Sequence, residues 1–332
     1  MVARQSSRVG DASYLEPGQW QWGMNFRSLD SRRHFKGKEQ QVEREELNTY
    51  VINRQNIWDL SASYAVTRRL NLTASVPFIN GSWELPIPVR PTPGPREGQH
   101  SHGMGDITLG GRWWVRDPLH AKGSNVALGV GLKMPTGKAD YKNVFPDING
   151  NNRTEKPVDV SIQPGDGGWG LSLSADGFRT AGKTTWFASA VYLVNPRDTN
   201  GVPSIRSALG LPPDPVTPST QVNSVPDQYL YRVGASYRVS GQVSAALSFR
   251  AEGVPSTDLI GRSNGFRRPG YALSIEPGLT YARGDSTWTL NVPVTISRNR
   301  RPTEADGVTR PGDATFADYV VLLGYSQRVG AR

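Results

Sequence analysis

The chain has 332 residues, a formal charge of +9 and no cysteine, so neither a disulfide framework nor a thiolate metal site is available to it. Its basic residues are scattered beside acids rather than gathered into a Lys/Arg block, which argues against nucleic acid as a partner. Apolar residues make up 36%, and the 36 Gly and 25 Pro collect between short apolar alternations, a placement that argues against an ordinary soluble enzyme. No apolar run reaches the roughly 18 residues of a transmembrane helix, but membrane strands need only about 9–11 alternating residues. The opening "MVARQSSRVG" has no hydrophobic signal region, as expected of a mature chain or one whose export signal has been cut away.

Twelve strands are expected in chain order. The first runs from Gln19 to Ser28, with Trp20, Trp22, Met24 and Phe26 on one face. "SRRHFKGKEQQVEREELN" then reads as a solvated charged loop. The second and third strands lie in "LSASYAVTRRLNLTASVPF". Leu60, Ala62, Tyr64 and Val66 share one face, and after the Thr67–Arg69 turn so do Leu70, Leu72, Ala74, Val76 and Phe78. A period of two means extended backbone with two unlike faces. The Pro-rich stretch from Gly81 to Gly103 reads as a long loop.

The fourth strand spans Asp106 to Val115, and the fifth carries Val126, Leu128, Val130, Leu132 and Met134. A long loop precedes the sixth, which holds Trp169, Leu171 and Leu173. The seventh, Thr185 to Val194, is apolar on both faces, so its parity is ambiguous. The eighth follows Asp227 with Tyr229, Tyr231, Val233 and Tyr237, and the ninth holds Val243, Ala245, Leu247 and Phe249. The tenth carries Tyr271, Leu273, Ile275 and Tyr281; the eleventh Trp288, Leu290, Val292, Val294 and Ile296; the twelfth Tyr319, Val321, Leu323, Tyr325 and Val329.

Links after even strands are short, and links after odd strands are long and rich in Pro, Gly and charge. Outer-membrane barrels have short periplasmic turns and long extracellular loops, whereas a soluble sandwich has no such alternation. The expected fold is therefore all-β: a single transmembrane antiparallel β-barrel of twelve strands over residues 18–332. Hydrocarbon cannot satisfy an open sheet edge, so the sheet must close. Residues 1–17 are expected as an N-terminal periplasmic segment, disordered or plugging the lumen. Tyr64, Trp113, Tyr237, Tyr281 and Tyr325 each lie close to a short turn, as expected of an aromatic girdle at the membrane interface.

The opposite faces are small and polar, with charges expected to line the lumen. The bases are Arg27, Arg112, Lys133, Arg232, Arg238, Arg250 and Arg328; the acids are Asp59, Asp106, Asp176, Glu252, Glu276 and Asp318. The signs nearly balance. Asp106 and Arg112 share a face but lie about 20 Å apart at strand rise, so each needs a partner elsewhere.

"MGDITLGGRWWV", "GLKMPTGKAD", "IQPGDGGWGLSLSADGFR" and "SYAVTRRLNLTASVPF" resemble segments of the outer-membrane family named for the phenol meta-degradation pathway. The resemblance spans roughly residues 55 to 329. It implies a barrel that moves small, often aromatic or hydrophobic molecules across the outer membrane. The chain departs from the usual aromatic ending of such barrels, closing on "YSQRVGAR".

Other motifs are weak. His100 and His102 alternate in a loop, which is too few ligands for a metal. "DINGNN" from Asp147 resembles the start of a calcium loop, but Val158 stands where the acid belongs. No nucleophile motif is present, so neither an enzyme nor a cofactor is expected. The expected partners are outer-membrane lipid and small solutes, with no nucleic acid. Two functions remain: a channel for passive diffusion of small, neutral or weakly polar solutes, aromatics included, or a scaffold barrel with a closed lumen that docks partner proteins.

Overall fold

The computed structural model describes residues 14–330. Short loop strands aside, its strands are β1 (Trp20–Lys36), β2 (Ile52–Ala65), β3 (Leu70–Pro86), β4 (Arg96–Met104), β5 (Thr108–Trp114), β6 (Ser124–Lys133) and β7 (Gly170–Ala181). They continue with β8 (Thr184–Val194), β9 (Gln228–Arg238), β10 (Val243–Val254), β11 (Gly270–Arg283), β12 (Ser286–Asn291), β13 (Val294–Asn299) and β14 (Asp313–Val329). β4 and β5 both pair with β3 and together occupy one barrel position; β12 and β13 both pair with β11 and occupy another. That leaves twelve antiparallel positions. β14 closes on β1 from Trp20↔Val329 to Lys36↔Asp313, so the sheet returns on itself as a barrel.

The tight turns follow from glycine. Gly182 and Gly284 sit at φ +60° and +59° in the two-residue turns between β7 and β8 and between β11 and β12. A hairpin of this length needs positive φ at its first central residue, where a side chain is strained. The interruption between β12 and β13 falls at Val292–Pro293, where proline cannot donate to a ladder. Beyond it β13 and β14 share only the pair Val294↔Tyr319. Above that pair side chains bridge the wall: Thr295 Oγ1 donates to Ala317 O at 3.1 Å and Arg298 Nη2 to Asp318 Oδ1 at 2.5 Å.

Two expected loops are partly strand. β1 continues past Ser28 to Lys36, and β3 rises to Pro86 and pairs with β4. On these upper segments the outward face changes from apolar to charged. Arg54 bonds Asp30 at 3.1 Å and Glu84 at 2.8 Å, and Arg32 meets Asp30 at 2.9 Å. Charges that face outward must stand beyond the hydrocarbon. On β3 the apolar residues change sides there, with Ile79, Trp83 and Leu85 buried on the inner face. The outward apolar pattern therefore stopped where the membrane stops.

Over the extracellular mouth the long loops form their own small core. Trp83, Leu85, Ile87, Phe145, Val158, Ile162 and Leu209 are all buried there. Gly81 is required at this junction, since a Cβ on it would stand 2.8 Å from Ile162 Cβ. Buried ion pairs support the cap. Arg268 Nη2 donates to Asp159 Oδ2 at 2.6 Å. Burial alone would raise the Asp159 pKa, but Arg268 and Ser161 outweigh it and hold the carboxyl below its usual range. Because the closed sheet is stabilised as a unit, folded protein in detergent should migrate differently on a gel before and after boiling. A helical circular dichroism spectrum would contradict the barrel.

Candidate functional site

Parity sorts the barrel faces. Leu72, Leu109, Leu128, Val130, Leu171, Val233, Leu247 and Leu279 are exposed on the outer surface, while Ser189, Ser236, Ser248 and Ser274 on the other face are buried. The outer face thus offers an apolar belt to lipid. The ambiguous seventh strand also resolves: Phe187 and Val191 are buried, and Trp186 is half exposed on the outside.

Five of the expected charges meet at one level inside the barrel. Arg27 on β1 reaches Glu252 on β10 at 3.3 Å, although the two are 225 residues and several strands apart. Glu252 also receives Arg250 at 2.6 Å. Glu276 on β11 takes Arg232 at 2.8 Å and Arg250 at 3.5 Å. Arg232 donates further to Ser248 Oγ at 3.0 Å and lies over the Phe187 ring at 4.9 Å. The alternation of three guanidiniums with two carboxylates is what makes this burial tolerable, since isolated buried charges are costly.

The other expected residues are distributed. Arg112 reaches Asp176 at 3.3 Å across β6, where Gly129 stands beside it with no side chain in the way. Asp106 accepts from Gly137 N at 3.0 Å and Asp166 N at 3.2 Å, so it ties the long third outer loop to the wall. Lys133 pairs with Asp166. Asp59 accepts from Ser75 Oγ at 2.6 Å, Asp318 lies between Arg298 and Arg33, and Arg328 stands 3.9 Å from Asp285. Arg238 is exposed at the short-turn end. Asp106 and Arg112 indeed find separate partners.

Near the short turns aromatic rings touch across strands. Trp20 lies 4.7 Å from Tyr64, Trp288 lies 5.6 Å from Tyr281 and 5.2 Å from Tyr325, and Arg69 sits over Trp113 at 4.6 Å. Tyr237 is half exposed on the same outer face.

Above the ion-pair cluster and beneath the loop cap lies a chamber of about 250 Å³. Arg27 and Glu252 form its floor, Trp83, Ser161 and Arg268 its roof, and Leu29, Ile57, Val254, Ser274, Phe316 and Val320 much of its wall. His34, Arg300 and Asp313 also line it, with polar Asn53, Gln55 and Thr315 among the rest. His34 Nδ1 lies 2.9 Å from Asp313 Oδ1, and Arg44 pairs with the same carboxylate. These residues escaped sequence reading because they sit in the upper strand ends and loops, where alternation is lost. The one available signal was the density of Arg in "RNRRPTEADGVTRPGDAT".

Closed antiparallel strands, a lipid-facing belt and a polar interior define the class: the protein is a twelve-stranded β-barrel of the bacterial outer membrane. The chain is similar to the crystal structure of an outer-membrane channel from Pseudomonas putida F1, with 13% identity, a TM-score of 0.62, and coverage of 97% of this chain and 100% of that one. Weaker likenesses extend to the β domain of the Bordetella autotransporter BrkA (12% identity, TM-score 0.46, 94% and 100% covered) and the toluene transporter TbuX of Ralstonia pickettii (11%, 0.45, 95% and 90%). At these identities the likeness is one of fold. No family model and no curated protein matches the sequence.

Proposed function

We propose that the barrel is a channel for passive diffusion of small neutral or weakly polar solutes, aromatic ones among them. The observation that carries this reading is a small, polar, charge-balanced interior set inside a lipid-facing wall. Below the outer chamber acids and bases are paired along the wall, so no single-sign field there selects strongly for one ion. The Arg27–Arg250–Arg232 level narrows the bore, which excludes bulky solutes. The expected girdle and lumen residues take their proposed roles from these positions.

The N-terminal segment narrows the periplasmic mouth in this reading. Tyr14 packs edge-on against Trp114 at 4.9 Å, accepts from Asn125 Nδ2 at 3.1 Å, and is followed by the buried Leu15. Residues 1–13 lie outside the described residues.

A planar-bilayer recording tests the proposal. Wild type should give a steady open level with little preference for cation or anion. Arg112→Ala, which removes the guanidinium facing Asp176, should raise conductance and admit larger solutes. The packed loop cap favours the second reading, a closed scaffold that docks partner proteins. On that reading neither protein conducts, and liposomes carrying them swell no faster than empty ones.

A further inference from the structure

The charged groups around the outer chamber are neutralised within the protein, with one exception. Arg27 has Glu252, Arg268 has Asp159, and Asp313 is shared by His34 and Arg44. Arg300 is buried, and among the described residues no carboxylate lies within ion-pair distance of it. Its Nη1 donates to Arg268 O at 2.8 Å and Pro269 O at 3.4 Å, and its Nη2 to Thr315 O at 2.9 Å. Carbonyl oxygens hold the guanidinium in place without cancelling its charge. Three of its five N–H groups are used in this way, and Nε is left with no acceptor. The guanidinium carbon lies over the Phe316 ring, 4.0 Å from its centroid. Burial and the neighbouring Arg268 push its pKa down to about 9, with Asp313 opposing. A pre-positioned, poorly solvated cation of this kind is stabilised by an anion brought to it.

We infer that the outer chamber binds one single-ring aromatic carboxylate, with its carboxylate at Arg300 and its ring against the apolar wall. The size fits. A dry cavity of about 150 Å³ takes benzene, so about 250 Å³ holds a ring carrying a carboxylate. The chemistry fits as well: Leu29, Ile57, Val254, Val320 and Phe316 contribute apolar surface to the chamber that Arg300 also lines. Such a site is saturable, unlike the paired wall below it. The assignment rests on the channel reading only for the route by which the ligand arrives.

The test is calorimetric titration of the full chain, folded in detergent at neutral pH, with benzoate, its uncharged isostere benzamide, and sulfate. Benzoate should bind at least tenfold more tightly than benzamide, and sulfate should not displace it. Arg300→Met should bring benzoate down to the benzamide level, and Arg300→Lys should restore part of the difference. Ala272→Phe, which puts a ring into the chamber from β11, should weaken both organic ligands. Folding of each variant is checked by its gel shift on boiling; if Arg300→Met does not fold, the wild-type ratio and Ala272→Phe decide. Equal affinities for benzoate and benzamide, competition by sulfate, or unchanged binding in Ala272→Phe would overturn the assignment. Conductance is measured separately. Binding without conductance removes the channel and keeps the site; conductance without binding does the reverse.

Discussion

Glu276→Ala should destabilise the barrel by about 3–5 kcal/mol, the usual cost of removing one partner from a buried ion pair. Glu276 is 1% exposed and is the carboxylate that Arg232 and Arg250 share. Its loss leaves Arg232 with neutral acceptors such as Ser248 Oγ and Asn291 Oδ1, and leaves Glu252 as the carboxylate shared by Arg250 and Arg27. Two guanidiniums then repel in a space with little water. The measurement is urea unfolding of the protein in liposomes, followed by tryptophan fluorescence. Asp318→Ala is the matched control. Asp318 is 41% exposed and pairs with Arg298 and Arg33 near the rim, so its removal should cost no more than about 1 kcal/mol. A comparable loss in both variants would mean that water reaches the Glu276 level freely, and that the bore there is wide.

The second large effect belongs to the outer face. Leu60→Arg should cost roughly 2–4 kcal/mol, the penalty for a cation on the lipid side of a barrel near the bilayer midplane. Leu60 is 46% exposed and faces away from the interior between Met24 and Val76, midway along its strand between the Tyr64 ring level and the charged Arg54 level. Ser61→Arg lies one residue along on the opposite parity, paired with Gly23 and Ser75. Its guanidinium enters a polar interior with Asp59 two residues along, so it should cost much less. The same liposome unfolding reads both. Equal penalties would mean that the two faces have been exchanged.

The sequence by itself determined the number of strands, their order, the lipid face of most of them, and the side on which the short turns lie. These are local properties. Side chains alternate with period two on any strand with two unlike surroundings, and Leu60–Phe78 carries that alternation with no help from the rest of the chain. Where the surroundings become alike, the signal goes. Thr185–Val194 is apolar on both faces because its inner face packs Phe187 under Arg232 and its outer face meets lipid, and only closure of the barrel shows which is which. At the upper ends of β1, β3 and β4 the outer face turns polar while inward residues such as His34, Trp83 and Gln99 are buried beneath the loops, so the lipid-facing pattern ends and these segments read as loop.

Tertiary structure alone decided who meets whom across the interior. Sequence reading could place Arg27, Arg232, Arg250, Glu252 and Glu276 on one kind of face, but strand tilt and the stagger of the closed sheet set the level at which each side chain arrives. That stagger puts Arg27 beside Glu252 rather than beside the acids nearest in the chain. It also leaves Arg300 above them without a carboxylate, at a position where the last two strands part and the loops fold over the mouth. Pairing between neighbouring strands follows from pattern and turn length; contact through the lumen depends on the geometry of the whole barrel, to which no single segment holds the key.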